Sequence, residues 1–233
     1  MGSKRRIAKD ILPIILKDRK EGQWFVDMFC GGCNLIDKVD GKRIANEYNE
    51  YIYEMWDSLV NKKWIPPNEI TEDTFNLIKN NKDKYPKELV GFTGIAVTFG
   101  SKWFNTYARN SRGTNYAIEG RGNLLEQVES LKGVRFFNRS YIDFAFKKRC
   151  IIYCDPPYAG TSGYKDKFNH IEFWQWCREK TVEGHSVFIS EYNAPDDFEC
   201  IWSKDLPSNM NAKAKTKPTE KLFTYKANQT IFK

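Results

Sequence analysis

No run in the chain approaches the ~18 uninterrupted apolar residues that a membrane-spanning helix requires, and the mean hydropathy is −0.63. Both exclude an α-helical membrane protein. Internal repeats and low-complexity tracts are absent, which excludes solenoids and arrays. Nor is there the shortage of apolar and aromatic residues that marks disorder. Hydrophobic residues make up 41% and aromatic residues 15% of the 233, enough to build a core. A chain of this length is one domain or one domain carrying an insertion, and it buries roughly 70% of its unfolded surface, so no disulfide or metal staple is needed.

What is present is a moderate positive excess. Lys plus Arg number 37 against 30 Asp plus Glu, a net charge of +7. That excess is compatible with a polyanionic partner, though many ordinary proteins reach it. The first residues are basic and then apolar, a little like a secretion signal. Lys9 and Asp10 interrupt them, however, the apolar run at 11–16 is short, and no small-residue cleavage site follows. The expectation is a helix of a mature cytoplasmic protein. The six cysteines are accordingly expected as reduced, buried thiols. Cys30 and Cys33 have C-x-x-C spacing, but Cys150 and Cys154 are one residue further apart and lie in a strand-like run, which argues against a zinc site.

The pattern alternates strand and helix. Residues 4–17 read as a helix that Pro13 should kink or end. Residues 23–27 form a short apolar run ending in Asp27, followed by the glycine-rich turn Phe29-Cys30-Gly31-Gly32-Cys33-Asn34 and an expected helix. A second strand at 43–47 ends in Glu47, and 48–60 carries apolar residues at helical spacing. Helices are expected near 72–80, 87–99 and 124–131. Between Gly100 and Gly122 lies a polar, basic and aromatic stretch without periodicity, the mark of a functional or poorly ordered loop. Strands follow at 134–138 and 150–154, a helix at 170–180, and strands at 186–190, 199–202 and 222–226. Such alternation predicts an α/β fold built on a parallel sheet.

The strongest chemical signal is Asp155-Pro156-Pro157-Tyr158, directly after the hydrophobic strand 150–154. Ligands of open parallel sheets bind beyond the carboxyl ends of strands. Each proline biases its predecessor toward extended geometry and so fixes the acceptors beside it. A carboxylate next to a rigid carbonyl can accept both hydrogens of an exocyclic amine and localise its lone pair, and a tyrosine face can stack a base. A plain Pro-Pro turn with Asp155 as a cap explains the tetrad as well when it is taken alone. The glycine turn is not G-x-G-x-x-G. Its neighbour Glu47 stands where a carboxylate can hold ribose hydroxyls, or is simply a surface acid. Glu191-Tyr192-Asn193 after the next strand either lines a base pocket or is an ordinary turn.

Together these segments resemble, in order and over nearly the whole chain, the Dam-type DNA N6-adenine methyltransferases, including phage-borne members. Gly2-Ser3-Lys4 looks like the family's N-terminal cofactor motif, and Phe25 through Asn34 like its strand-and-loop cofactor motif. Asn46-Glu47-Tyr48-Asn49 resembles its ribose motif, Ser140-Tyr141 the pair beside the cofactor's adenine, and Asp155-Pro156-Pro157-Tyr158 its catalytic motif. The family usually has Glu-Pro at Asp27-Met28, glycine at Cys33 and aspartate at Glu47, and the Cys33 side chain is expected to narrow the loop.

The resemblance implies a Rossmann-like S-adenosylmethionine-dependent methyltransferase fold. Residues 1–60 and 133–233 would form the catalytic domain, and 61–132 a mainly helical target-recognition insertion. It implies S-adenosylmethionine held by Lys4, Asp27, Phe29, Cys30, Gly31, Gly32, Asn34, Glu47, Ser140, Tyr141 and Asp155. A flipped adenine of double-stranded DNA would bind Asp155, Pro156, Pro157 and Tyr158. Lys102, Arg109, Asn110, Arg112, Asn115 and Arg121, with Trp103, Phe104 and Tyr107 interleaved, are candidate DNA contacts in the insertion. Lys213, Lys215 and Lys217 are candidate phosphate contacts. Three readings compete: an N4-cytosine methyltransferase, against which Asp155 argues because those enzymes tend to have serine there; a protein or RNA methyltransferase; and a DNA-binding protein that has lost catalysis.

Overall fold

The computed structural model describes residues 4–146, 148–158, 168–205 and 219–226. Its centre is a seven-stranded sheet. The strands are β1 (Phe25–Asp27), β2 (Arg43–Asn46), β3 (Val134–Phe137), β4 (Ile151–Cys154), β5 (Ser186–Glu191), β6 (Phe198–Asp205) and β7 (Thr219–Tyr225). They lie in the order β3-β2-β1-β4-β5-β7-β6. The first five are mutually parallel, and β7 runs antiparallel to both neighbours. This is the expected Rossmann-like methyltransferase fold.

Every residue of β1 and β4 is buried, as the central strands of a parallel sheet must be. Successive side chains alternate between two cores. Phe25, Ile151 and Tyr153 face one core, shared with α1 (Ala8–Ile15), α2 (Glu50–Asn61), α3 (Glu72–Asn80), α4 (Lys87–Ala96) and α5 (Tyr116–Leu131). Val26, Ile152 and Cys154 face the other, built with Phe173, Trp174, Trp176 and Cys177 of α6 (His170–Val182). The chain leaves β1 toward β2 on one side and reaches β4 on the other. The carboxyl ends of β1 and β4 therefore flank the point where the strand order reverses, with Asp27 opposite Tyr153 in register.

Several elements differ from expectation. No α-helix follows the glycine turn; the crossover to β2 contains only a 3-10 turn at Ile36–Lys38. Helix α1 runs through Pro13 and stops two residues later. Helix α5 starts at Tyr116, within the stretch read as loop. Asn115 caps it by accepting from the N–H groups of Ala117 and Ile118, and Gly120 lets its backbone approach Ala96 closely. Strands β6 and β7 are longer than their sequence signals because they form one paired hairpin. The described cysteines are buried except Cys200, which is exposed on the edge strand β6.

Helices α3, α4 and α5 do not form a core of their own. Ile78, Ile95 and Leu124 join the same buried cluster as Phe25 and Ile151. Gly91 of α4 packs directly on α2, where an added Cβ would lie 2.2 Å from the Tyr51 carbonyl oxygen. No helix among the described residues is long and apolar enough to cross a membrane.

Candidate active site

Four side chains from three distant parts of the chain converge beyond β4. Lys4, in the 3-10 turn Lys4–Arg6, is buried. Its ammonium lies 3.1 Å from Asp155 Oδ1 and 3.1 Å from Glu220 Oε2, donates to the Tyr158 hydroxyl at 2.5 Å, and sits 4.6 Å from that ring's centre. Tyr158 in turn donates to Glu220 at 3.0 Å, and the ring of Tyr192 meets it edge-on at 4.6 Å. Below them the Tyr153 and Ser190 hydroxyls are bonded at 2.7 Å.

The electrostatics follow from burial. Desolvation works against the Lys4 charge, yet Asp155 and Glu220 outweigh it and raise its pKa. Burial lifts the Asp155 carboxyl above its ordinary range, while Lys4 pulls it back. Burial and the neighbouring carboxylates push the Tyr158 phenol far up, so it remains a hydrogen-bond donor.

Across the strand-order reversal lies the glycine loop. Asp27 is 2% exposed, and its Oδ1 has no hydrogen-bond partner among the described residues. Burial, then the charge of Asp155, hold its carboxyl well above the usual range against the N–H of Phe29. Gly31, at φ +46, donates its N–H to Glu47 at 2.9 Å. Glu47 also accepts from the N–H of Asn49 at 2.9 Å. Trp56 donates to the Gly31 carbonyl at 2.9 Å and Gln127 to the Gly32 carbonyl at 3.1 Å, so both loop carbonyls are pinned. The Asn46 amide donates to the carbonyls of Met28 and Arg139, tying this loop to the segment before Ser140.

The structure corrects the expectation for Cys33. Its backbone is left-handed, at φ +54, where a glycine would be unstrained. Its thiol, however, is fully buried in the core and does not narrow the loop. Met28, at the family's proline position, likewise points into a core. Cys30 is buried beside Cys33 and hydrogen-bonded to it. Asn34 spends its carbonyl on Lys38. Tyr141 is buried among Phe29, Phe173 and Trp176, which raises its pKa to about 12; Ser140, before it, is half-buried.

The candidate DNA contacts divide. Arg109 is paired with Glu72, and Arg121 with the side chain of Asn68. Asn110 closes its own turn by accepting from the N–H groups of Arg112 and Thr114, and Asn115 is the cap of α5. Lys102 and Arg112 are exposed. The interleaved aromatics have partners within the fold: Phe104 is buried against Phe75 and Trp103, Trp103 stacks on Tyr51, and the Tyr107 hydroxyl donates to the Ile70 carbonyl. Lys213, Lys215 and Lys217 lie outside the described residues. Sequence reading missed Glu220, Trp56 and Gln127, which only the tertiary fold brings to the site.

A family model for the D12 class of N6 adenine-specific DNA methyltransferases matches residues 1–144. The chain belongs to that family. The match spans the Lys4 turn, the glycine loop and Glu47, and ends before Asp155. Among curated proteins, the chain is similar to the type II methyltransferase M.FokI of Planomicrobium okeanokoites, with 25% identity over 207 residues covering 77% of this chain and 31% of that protein. The chain thus spans about a third of its relative's length. Among solved structures, TrmN from Thermus thermophilus aligns with 95% of this chain and 48% of its own at 11% identity and a TM-score of 0.39. HI0767 from Haemophilus influenzae aligns with 95% and 98% at 10% identity and a TM-score of 0.38. Scores this low carry no argument; the fold stands on its strand order.

The site residues of this D12-class chain fit the family's cofactor. A buried carboxylate oxygen without a partner, beside a glycine loop whose carbonyls are fixed from behind, is a site short of a hydrogen-bond donor, and an amino-acid ammonium supplies one.

Proposed function

We propose that the chain methylates the N6 amino group of an adenine flipped out of double-stranded DNA, in the cytoplasm of a prokaryotic or phage-infected cell. The observation that carries this reading is the pair Asp27 and Asp155. A buried carboxylate at the end of β1 and a partly buried one just beyond the neighbouring β4, with Tyr158 beside the second, support a cofactor side at Asp27 and a target side at Asp155.

When bound, S-adenosylmethionine supplies an electrophilic methyl carbon. Asp27, the Phe29-to-Asn34 loop, Glu47, Ser140 and Tyr141 would hold it, together with Lys4 and Asp155. On the target side, Asp155 and the Pro156 carbonyl accept the two hydrogens of the adenine amine, which localises the nitrogen lone pair. Pro157 keeps that carbonyl fixed, and the Tyr158 face stacks the extruded ring. The protein's contribution is position and electrostatics. Residues 61–132 form the target-recognition region, in which Lys102 and Arg112 meet DNA. Arg109, Arg121, Asn110 and Asn115 lie at the surface of the same region and are engaged with other residues of it.

The test is Asp155→Ala. Removing a preorganised group that acts on developing charge costs on the order of 10²–10³ in rate. Transfer of labelled methyl to duplex DNA is therefore expected to fall at least that far, while DNA affinity measured by anisotropy stays within a few-fold. A variant with full transfer removes the mechanism.

A further inference from the structure

Lys4 has three N–H bonds and three acceptors: Asp155, Glu220 and Tyr158. Glu220 takes one hydrogen from Lys4 and one from the Tyr158 hydroxyl through the same oxygen. Without it, Lys4 and the Tyr158 hydroxyl each lose an acceptor inside a largely buried cluster, and Asp155, which Lys4 already touches at 3.1 Å and Tyr158 already reaches, is left to take more of both. That is the carboxylate the amine needs.

We infer that Glu220 is a positioning residue for methyl transfer: it shares Lys4 and the Tyr158 hydroxyl with Asp155 and so leaves Asp155 acceptor capacity for the target amine. The inference rests on the function proposed above and deepens it. Glu220 touches no reacting atom; it acts through Lys4 and Tyr158. The groups around it are Lys4 from the N-terminal turn, Tyr153 of β4, Asp155 and Tyr158 beyond it, and Tyr192 after β5. Lys204 of β6 is its cross-strand partner, but the Lys204 ammonium is engaged by Asp10 at 2.7 Å, so it does not take the place of Lys4.

A role through charge leaves a signature that a brace does not. The Glu220 carboxylate raises the pKa of both Lys4 and Asp155. In Glu220→Gln that charge is gone, so both groups titrate at lower pH. The kcat–pH profile, taken from about pH 4 to 11 so that it reaches past the ordinary values of a carboxyl and an ammonium, is expected to move both limbs toward acid. The kcat should fall on the order of 10²-fold, the scale of a misplaced reacting group, with S-adenosylmethionine affinity held within a few-fold. Glu220→Asp keeps the charge and shortens the reach. It should leave the limbs in place with an intermediate kcat, and it carries the test if the glutamine variant fails to fold by circular dichroism. Wild-type kcat in either folded variant, or a loss in the glutamine variant with unmoved limbs, overturns the inference while the functional reading stands. Absence of transfer by the wild-type protein in the same assay overturns the functional reading and this one with it.

Discussion

Asp27 shows most directly how stability is given up at the candidate site. A carboxylate that is 2% exposed with an unpartnered oxygen favours its protonated form in the folded chain, so its native pKa lies well above the ordinary 3.8. The sign is therefore the reverse of a salt-bridged acid. The folded state suffers no penalty below the unfolded pKa, and stability is lost as pH rises through the raised native value. Asp27→Asn is expected to melt higher than wild type near neutral pH, with the gap closing in acid. One kcal/mol corresponds to roughly 2–4 °C in a chain of this size. Melting curves across pH check this, and a gap that persists unchanged in acid contradicts it. The same substitution should weaken S-adenosylmethionine binding, the expected trade of stability for function.

At the scale of elements, helices α3, α4 and α5 are held by close packing on the rest of the fold. An alanine methyl at Gly91 would meet the Tyr51 carbonyl oxygen at 2.2 Å and Met55 Cβ at 2.9 Å; the first is backbone and cannot swing away. Gly91→Ala must push α4 off α2, at a cost of about 1–3 kcal/mol. A lower denaturant midpoint at unchanged slope is the expected readout. No shift would mean that the helices are less closely apposed. Sequence pattern gave these helices well where apolar spacing and caps coincide, as at α3, whose bounds were expected at 72–80 and observed there. It failed at the start of α5, because a run of Asn, Gly and Arg looks like loop until Asn115 is seen capping it and Gly120 is seen against Ala96. It failed again after the glycine turn. There the left-handed Cys33 and the 3-10 turn at Ile36–Lys38 replace the regular helix.

Over the whole molecule, the parts of the site with local signatures were legible: an acid at a strand end, a glycine turn, a rigid Pro-Pro tetrad. The parts held together by topology were not. Glu220 sits on β7, 62 positions from Tyr158, and Gln127 reaches the glycine loop from 95 positions away. The DNA-contact reading was least legible, because Arg and Asn residues in an aromatic stretch look alike whether they read bases or hold the insertion together. Arg109, Asn110, Asn115 and Arg121 each have a partner within residues 61–132.

The central claim is that this fold carries a methyl group to the adenine amine through Asp155. Mapping modified bases in DNA from cells that express the wild-type chain or Asp155→Ala tests it most directly. N6-methyladenine in a fixed sequence context with the wild type, and none with the variant, is the predicted result. N4-methylcytosine, or unmodified DNA in both, would contradict it.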